Sequence, residues 1–342
     1  MPEILDLFNQ RDVLSYVNNR QYPTYLGDSL FPSRKVLSLD VEILEDRYTT
    51  PVIAPMSSFD SEAQIGSREA DRRYAELGYI KRKIQLKEKD LVALRNPRNP
   101  QEQQYLTQLV YNDTDHMVEG VQARVELMRM QLLANGVVLP DDADSSWKID
   151  YGLPKEHQVT VTKSWDDPSS DPISDIKAWV NTLDIVPTRA LTSRKVLQAL
   201  EENSSIKALF KSLGVIPSDG SLNQIMQSLG LPVIVTYDRK YRAQSATGSY
   251  TKERFFPEDK FVMFDDNTLG ETLYGPTPEE SRLMSGNSND MMVGNIFATM
   301  YEEGHDPVGT WTKAAATSLP TLASPDELFQ AQVLLSGSTK SK

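Results

Sequence analysis

Between Asn99 and Gly136 the sequence carries a helix signal longer than most compact domains need, and that signal narrows the folds open to the rest of the chain. Asn99 can cap the first free amides, and Pro100 suits the first helical position. Glu102 stands at the spacing of a capping box, and Gly136 suits a left-handed stop after Asn135. Between these ends Leu106, Val110, Met117, Val121, Val125, Met128 and Leu132 recur at steps of three and four. Such spacing predicts one apolar stripe on a rod on the order of 50 Å long at 1.5 Å per residue. Asn112 to Asp115 and Gly120 weaken its middle by poor propensity, which leaves a kink or two shorter helices as alternatives.

With 342 residues, 39% of them hydrophobic, the chain can bury a substantial core in one large or two modest domains. The opening MPEILDLFNQ has acids where a secretion signal has a basic start, and no apolar run approaches the roughly 18 residues that span a bilayer. The expectation is a soluble protein made in cytoplasm, with no membrane partner. Cysteine is absent, which excludes a disulfide framework, thiolate zinc sites and cysteine nucleophiles. A net charge of -12 opposes free binding to nucleic acid, so contact with DNA is expected to be loose or local.

Residues 1–46 hold short apolar groups around a turn-rich stretch from Asn18 to Ser33 and read as an arm packing on something else. From Arg47 to Arg98, the extended runs PVIAPM and GYIKRKIQL flank a polar middle, as in an elongated hairpin-like excursion. Beyond the long helix, Asp171 and Pro172 open a helix with Ile173, Ile176, Trp179, Val180 and Leu183. Thr192 or Ser193 opens another that carries Val196 through Phe210, and Ser221 with Gln224 marks a third. Leu231 to Tyr237 and Lys260 to Phe264 read as strands bounding a polar loop, and the segment from Gly309 to Leu335 as strands broken at Pro320 and Pro325. The fold class is mixed α+β, with no internal repeat.

No phosphate loop, dinucleotide fingerprint, HExxH or GxSxG is present; Gly286, Ser288 and Asp290 only approach the last and read as a surface loop. His116, His157 and His305 are too dispersed for a metal, and Asp265, Asn267 and Gly270 start a calcium-like loop that lacks its closing acid. Paired acids at Asp142/Asp144, Asp166/Asp167 and Glu279/Glu280 are of a kind glycosidases use, but such pairs are common in an acidic chain. No catalytic residue, cofactor or metal is expected. Charge is more informative. Arg68, Arg72, Arg73, Lys81, Arg82 and Lys83 concentrate in the excursion, whereas Glu258 to Asp306 is strongly acidic. One reading is a solvated face, another is contact between subunits in which a basic excursion lies across an acidic neighbour. A nucleic-acid patch is disfavoured by scant aromatic interleaving and the negative total.

The order of parts resembles the lambda-type phage major capsid proteins, the phage capsid protein E family with the HK97-type shell fold. ELGYIKRKIQL resembles the family's return strand, and the helix ending RVELMRMQLLANG resembles its spine helix. KSWDDPSSDPISDIKAW, FFPEDKFVMFDDNTLGETLYGPTPEE and PVGTWTKAAATSLPTLASPDELFQAQVLL are similar to later family segments in the same order. The resemblance implies an N-terminal arm (1–46), an extended loop (47–98), a peripheral domain with the spine helix (99–160), an axial domain (161–290) and a return to the peripheral domain (291–342). It further implies a non-enzymatic shell subunit of a tailed double-stranded DNA phage that self-assembles as hexamers and pentamers into an icosahedral shell. The implied partners are a scaffolding protein, a portal, a decoration protein and, through weak non-specific contact, packaged DNA. The protein would reside in the virion, and in host cytoplasm during assembly. Rival readings are an encapsulin-like nanocompartment shell, a phage tail or scaffold accessory, and a soluble carboxylate hydrolase.

Overall fold

In the computed structural model the segment after Asn99 forms one continuous helix, Pro100–Asn135, and not the two shorter ones that its weak middle leaves open. The structure describes residues 8–45, 53, 54, 56, 59, 71–95, 97–140, 147–214, 216, 218–245, 247–265, 268–285, 294–303 and 309–335. Asn99 Oδ1 accepts from the Glu102 amide at 2.8 Å, as expected of the cap. The Glu102 carboxylate reaches back one residue further than a capping box, to the Arg98 amide at 2.6 Å. All seven stripe residues are buried.

In chain order the elements are α1 (Gln10–Asn19), α2 (Gly27–Leu30), β1 (Ser33–Lys35), β2 (Asp40–Glu45), β3 (Asp71–Glu76), β4 (Gly78–Leu86), α3 (Glu88–Arg95), α4 (Pro100–Asn135), β5 (Val137–Val138) and β6 (Ile149–Asp150). There follow β7 (Gln158–Thr160), α5 (Pro172–Val180), β8 (Arg189–Thr192), α6 (Arg194–Glu202), α7 (Ser204–Leu213), α8 (Asp219–Ser228), β9 (Val233–Thr236), β10 (Lys240–Gln244) and β11 (Tyr250–Arg254). The last are β12 (Lys260–Phe264), β13 (Thr272–Gly275), α9 (Pro278–Ser285), β14 (Phe297–Glu303), β15 (Gly309–Pro320) and β16 (Phe329–Gln332). No helix among the described residues is long and apolar enough to cross a membrane.

Two compact units result: Met1–Val41, Tyr74–Glu126 and Thr272–Thr321 form the first, and Glu42–Arg73, Leu127–Glu271 and Leu322–Lys342 the second. In the first, β15 is the central strand, with β4 on one side and β14 and β13 on the other, β1 lying parallel outside β13. Val110, Met117, Val118, Val121 and Val125 of α4 share a core with Ala298, Met300, Ala314 and Ala316. Small residues on the sheet let the helix come close, and close approach is what makes dispersion contacts count.

Two features of this region join residues distant in sequence. GYIKRKIQL is β4, paired antiparallel with β15 from Leu86 opposite Thr310 to Gly78 opposite Ser318, while β3 pairs with β2; of PVIAPM, Pro51, Val52 and Pro55 lie outside the described residues. Strand pairing is set by non-local partners, and a period-two pattern does not name them. Within the segment read as an arm, Phe8, Val13 and Val17 lie in the core of the first unit. The Tyr16 and Tyr22 hydroxyls donate to the two oxygens of Asp115 on α4 at 2.8 and 3.1 Å, and Arg20 lies 3.4 Å from the same carboxylate. Burial, then the Asp115 charge, raises both phenols above their ordinary value.

In the second unit the sheet order is β7-β16-β12-β8-β9, and α5 to α8 pack on one face. Asp171 caps α5 as expected, and fully buried Trp165 anchors the core, its indole N–H donating to Asp175 at 3.0 Å and its ring stacking on Trp179 at 5.6 Å. The single helix expected from Ser193 to Phe210 is two, because the Asn203 side chain caps α7 instead of continuing α6. Ser218, not Ser221, caps α8, with Ser221 completing the capping box. The polar stretch after Tyr237 holds the β10–β11 hairpin, which its sparse apolar content hid.

Gly136 ends α4 at φ +66°, and a Cβ there would lie 2.6 Å from Leu153 Cδ1, whereas Gly214 at φ +64° has open space around it. Gly136→Ala should therefore cost about 2–4 kcal/mol, for left-handed strain plus overpacking, against about 1–2 kcal/mol for Gly214→Ala, where only the strain applies. Urea unfolding of both variants measures the difference; equal costs would remove the packing part of the account.

Candidate assembly surface

β4 lies at the sheet edge of the first unit, and among the described residues no strand pairs with its other side. Edge strands of this length invite pairing with another chain unless charge discourages it. Alternation splits the basic run between two faces. Ile80, Arg82 and Ile84 turn toward the helix side: Ile80 and Ile84 pack against the core, and Arg82 Cδ would sit 3.2 Å from a Cβ on Gly120 of α4. The glycine that weakens helix propensity is thus the place where an arginine stem lies against the helix.

Tyr79, Lys81, Lys83 and Gln85 turn to the opposite, open face, where the strand register sets Lys83 directly opposite Lys313 and Gln85 opposite Trp311. Like charges so placed repel. Each lysine has its own relief. Lys83 Nζ stands 4.0 Å from the Trp311 ring centroid and 3.8 Å from Glu303, and Lys313 pairs with Glu279. Glu279 also accepts from the Tyr79 hydroxyl at 2.8 Å. Burial alone would raise the Glu279 carboxyl, but the hydrogen bonds from Lys313 and Tyr79 hold it below its ordinary value; burial would lower Lys313, but its bonds to Glu279 and Tyr79 raise it.

The acidic segment therefore meets part of the basic one inside a single chain. Glu280, almost fully buried, takes Lys35 at 2.7 Å, so both members of the Glu279/Glu280 pair are committed to structural lysines. Of the other acid pairs, Asp167 accepts from the amide and hydroxyl of Ser169 at 2.8 and 2.9 Å and closes a turn, while Asp142 and Asp144 lie outside the described residues. His157 is buried beside Phe329, His116 is exposed and His305 lies outside the described residues. Among the described residues no group of His, Cys, Asp and Glu could hold a metal.

Of the six basic residues singled out in the sequence, Lys81, Arg82 and Lys83 share β4, exposed. Arg72 and Arg73 are in β3 with side chains outside the described residues, and Arg68 lies outside them altogether, as do Gly286, Ser288, Asp290 and Asn267. Sequence reasoning missed Tyr79, Trp311, Lys313 and Glu279 as partners of this face. The alternation in GYIKRKIQL and TWTKAAAT was the available signal.

A family model described as phage major capsid protein E matches residues 9–333. A capsid protein of an Escherichia coli CFT073 prophage is similar in structure, with TM-score 0.64 and 16% identity over 95% of this chain and 99% of that one. A phage-related protein of Bordetella bronchiseptica RB50 gives TM-score 0.49 and 11% identity over 94% and 96%. No curated relative matches the sequence.

Lys313→Met should destabilise the chain by about 1–2 kcal/mol at neutral pH, since Glu279 loses its cation while water still screens it in part. Glu279 is depressed in the fold, so its stabilisation is present above the ordinary carboxylate value of 4.5 and is lost as pH falls through the lowered value. Denaturant midpoints of wild type and Lys313→Met should converge on acidification; a gap that stays constant would remove this ion pair from the account.

Proposed function

The chain belongs to the phage major capsid protein E family and is a structural, non-enzymatic capsid protein of the virion, and from that premise we propose how it builds a shell. Copies assemble as hexamers and pentamers into an icosahedral container for the double-stranded DNA of a tailed phage. A scaffolding protein guides assembly in host cytoplasm, a portal occupies one vertex, and a decoration protein adds to the finished particle. DNA meets the shell only through weak, non-specific contact, as the net charge of -12 favours. Residues 1–46 serve as the arm, 47–98 as the extended loop, 99–160 with the spine helix and 291–342 as the peripheral domain, and 161–290 as the axial domain. The observation that carries the reading is the family match across residues 9–333, a span that includes both units.

In this reading Arg68, Arg72, Arg73, Lys81, Arg82 and Lys83 form the basic side of a contact between subunits, and electrostatics sets its register more than its strength. Lys81 is the clearest of them. It is exposed, near the Tyr79 ring at 5.2 Å, and among the described residues no ion pair engages it, whereas Lys83 is shared with Glu303. A heterologous contact of this kind repeats around a ring and closes.

Reversing charge at Arg72, Arg73 and Lys81 together should abolish shells while leaving folded subunits. Sedimentation velocity and negative-stain imaging, with circular dichroism as the folding control, read the result. Wild-type particles from the triple variant would remove the electrostatic contact. A wild-type chain that stays a small species even with its scaffold would overturn the shell reading, and protein cargo in place of DNA inside native particles would reassign it to a nanocompartment.

A further inference from the structure

On the face of the second unit's sheet that turns away from the aromatic core, a polar strip crosses three strands. Phe261, Met263, Phe329 and Ala331 point into the core, so by alternation Lys260 on β12 and Gln330 and Gln332 on β16 take the other face. The register places Gln332 between Lys260 and Thr160, and Gln330 beside Gln158 of β7. Gln330 Nε2 donates to the carbonyls of Leu132 and Leu133 at 3.2 and 2.7 Å, which holds the last turn of α4 over this strip. Asn135, Gln158, Val159, Thr160, Lys260 and Gln330 together line a cleft of about 250 Å³.

Among the described residues no carboxylate lines this cleft. Lys260 is half-buried, and burial lowers its pKa, with Asp259 alone opposing the effect; the Asp259 carboxylate is itself engaged by Gln332 Nε2 at 2.9 Å. A cation taken out of water is costly unless paired. Around the Lys260 ammonium, the side-chain amides of Asn135 and Gln158 and the Thr160 hydroxyl can each donate a hydrogen bond. A cleft of this size is below that of drug-binding pockets and suits a single side chain or small ion.

We propose that this cleft is a receptor for one oxyanion, a carboxylate or a phosphate group, seated against Lys260 with Thr160, Asn135 and Gln158 supplying further donors. The inference is independent of the shell reading, because it rests on the lining of one cleft within one unit. A carboxylate would come from an acidic side chain of another protein chain, and a phosphate from solution.

The test uses the full chain held as dispersed subunits, with lysines labelled by reductive ¹³C-methylation and Lys260 assigned by its loss in Lys260→Arg. The pH titration of that resonance is followed in sodium chloride, sodium acetate and sodium phosphate at equal ionic strength. An anion in the cleft should move the Lys260 midpoint upward by about 1 pH unit, as an adjacent opposite charge does, while exposed lysines stay in place. Movement with acetate alone assigns a carboxylate ligand, with phosphate alone a phosphate ligand, and with both a general oxyanion receptor. Thr160→Val, at an exposed position, should shrink the response. A Lys260 midpoint that neither anion moves overturns the proposal and leaves a lysine whose head reaches water along an apolar stem.

Discussion

The first unit depends on the contact between one long helix and a sheet face made of small residues. Ala298, Ala314 and Ala316 present little more than backbone and methyl groups, and Val110, Met117, Val118, Val121 and Val125 of α4 fill the space above them. Were these alanines larger, the helix would be lifted off and its stripe would lose the contacts that make burial favourable. That packing explains why an exposed-looking basic strand such as β4 belongs to a sheet at all: β15 has alanines for the helix on one face and Trp311 for Lys83 of β4 on the other.

Electrostatics in this protein divides into charges settled within the chain and charges left outward. Asp115 gathers two tyrosine hydroxyls and an arginine, Glu279 a lysine and a tyrosine, and Glu280 a lysine. These fix the N-terminal segment and α9 to their unit at neutral pH. Lys81 and the exposed edge of β4 are of the second kind, and so, in a different way, is half-buried Lys260 with its cleft of amides. A subunit that must both fold alone and meet copies of itself needs both kinds. Settled pairs give a single fold, and outward charge steers association without adding much affinity.

Much of this protein was legible wherever structure is local. The cap at Asn99, the stop at Gly136, the stripe on α4 and the cap at Asp171 are properties of residues within one or two turns of each other, so reading the chain was enough to place them. The order of segments was also enough to indicate the family. What the sequence left open lies between residues far apart: β4 pairs with β15, Tyr16 and Tyr22 find Asp115, and Glu279 finds Lys313. Neither the alternation of GYIKRKIQL nor its charge says which strand will lie beside it, because many strands satisfy the same period. Tertiary packing chose the register, and the register then decided that Lys81 and Lys83 share one face while Arg82 turns to the helix.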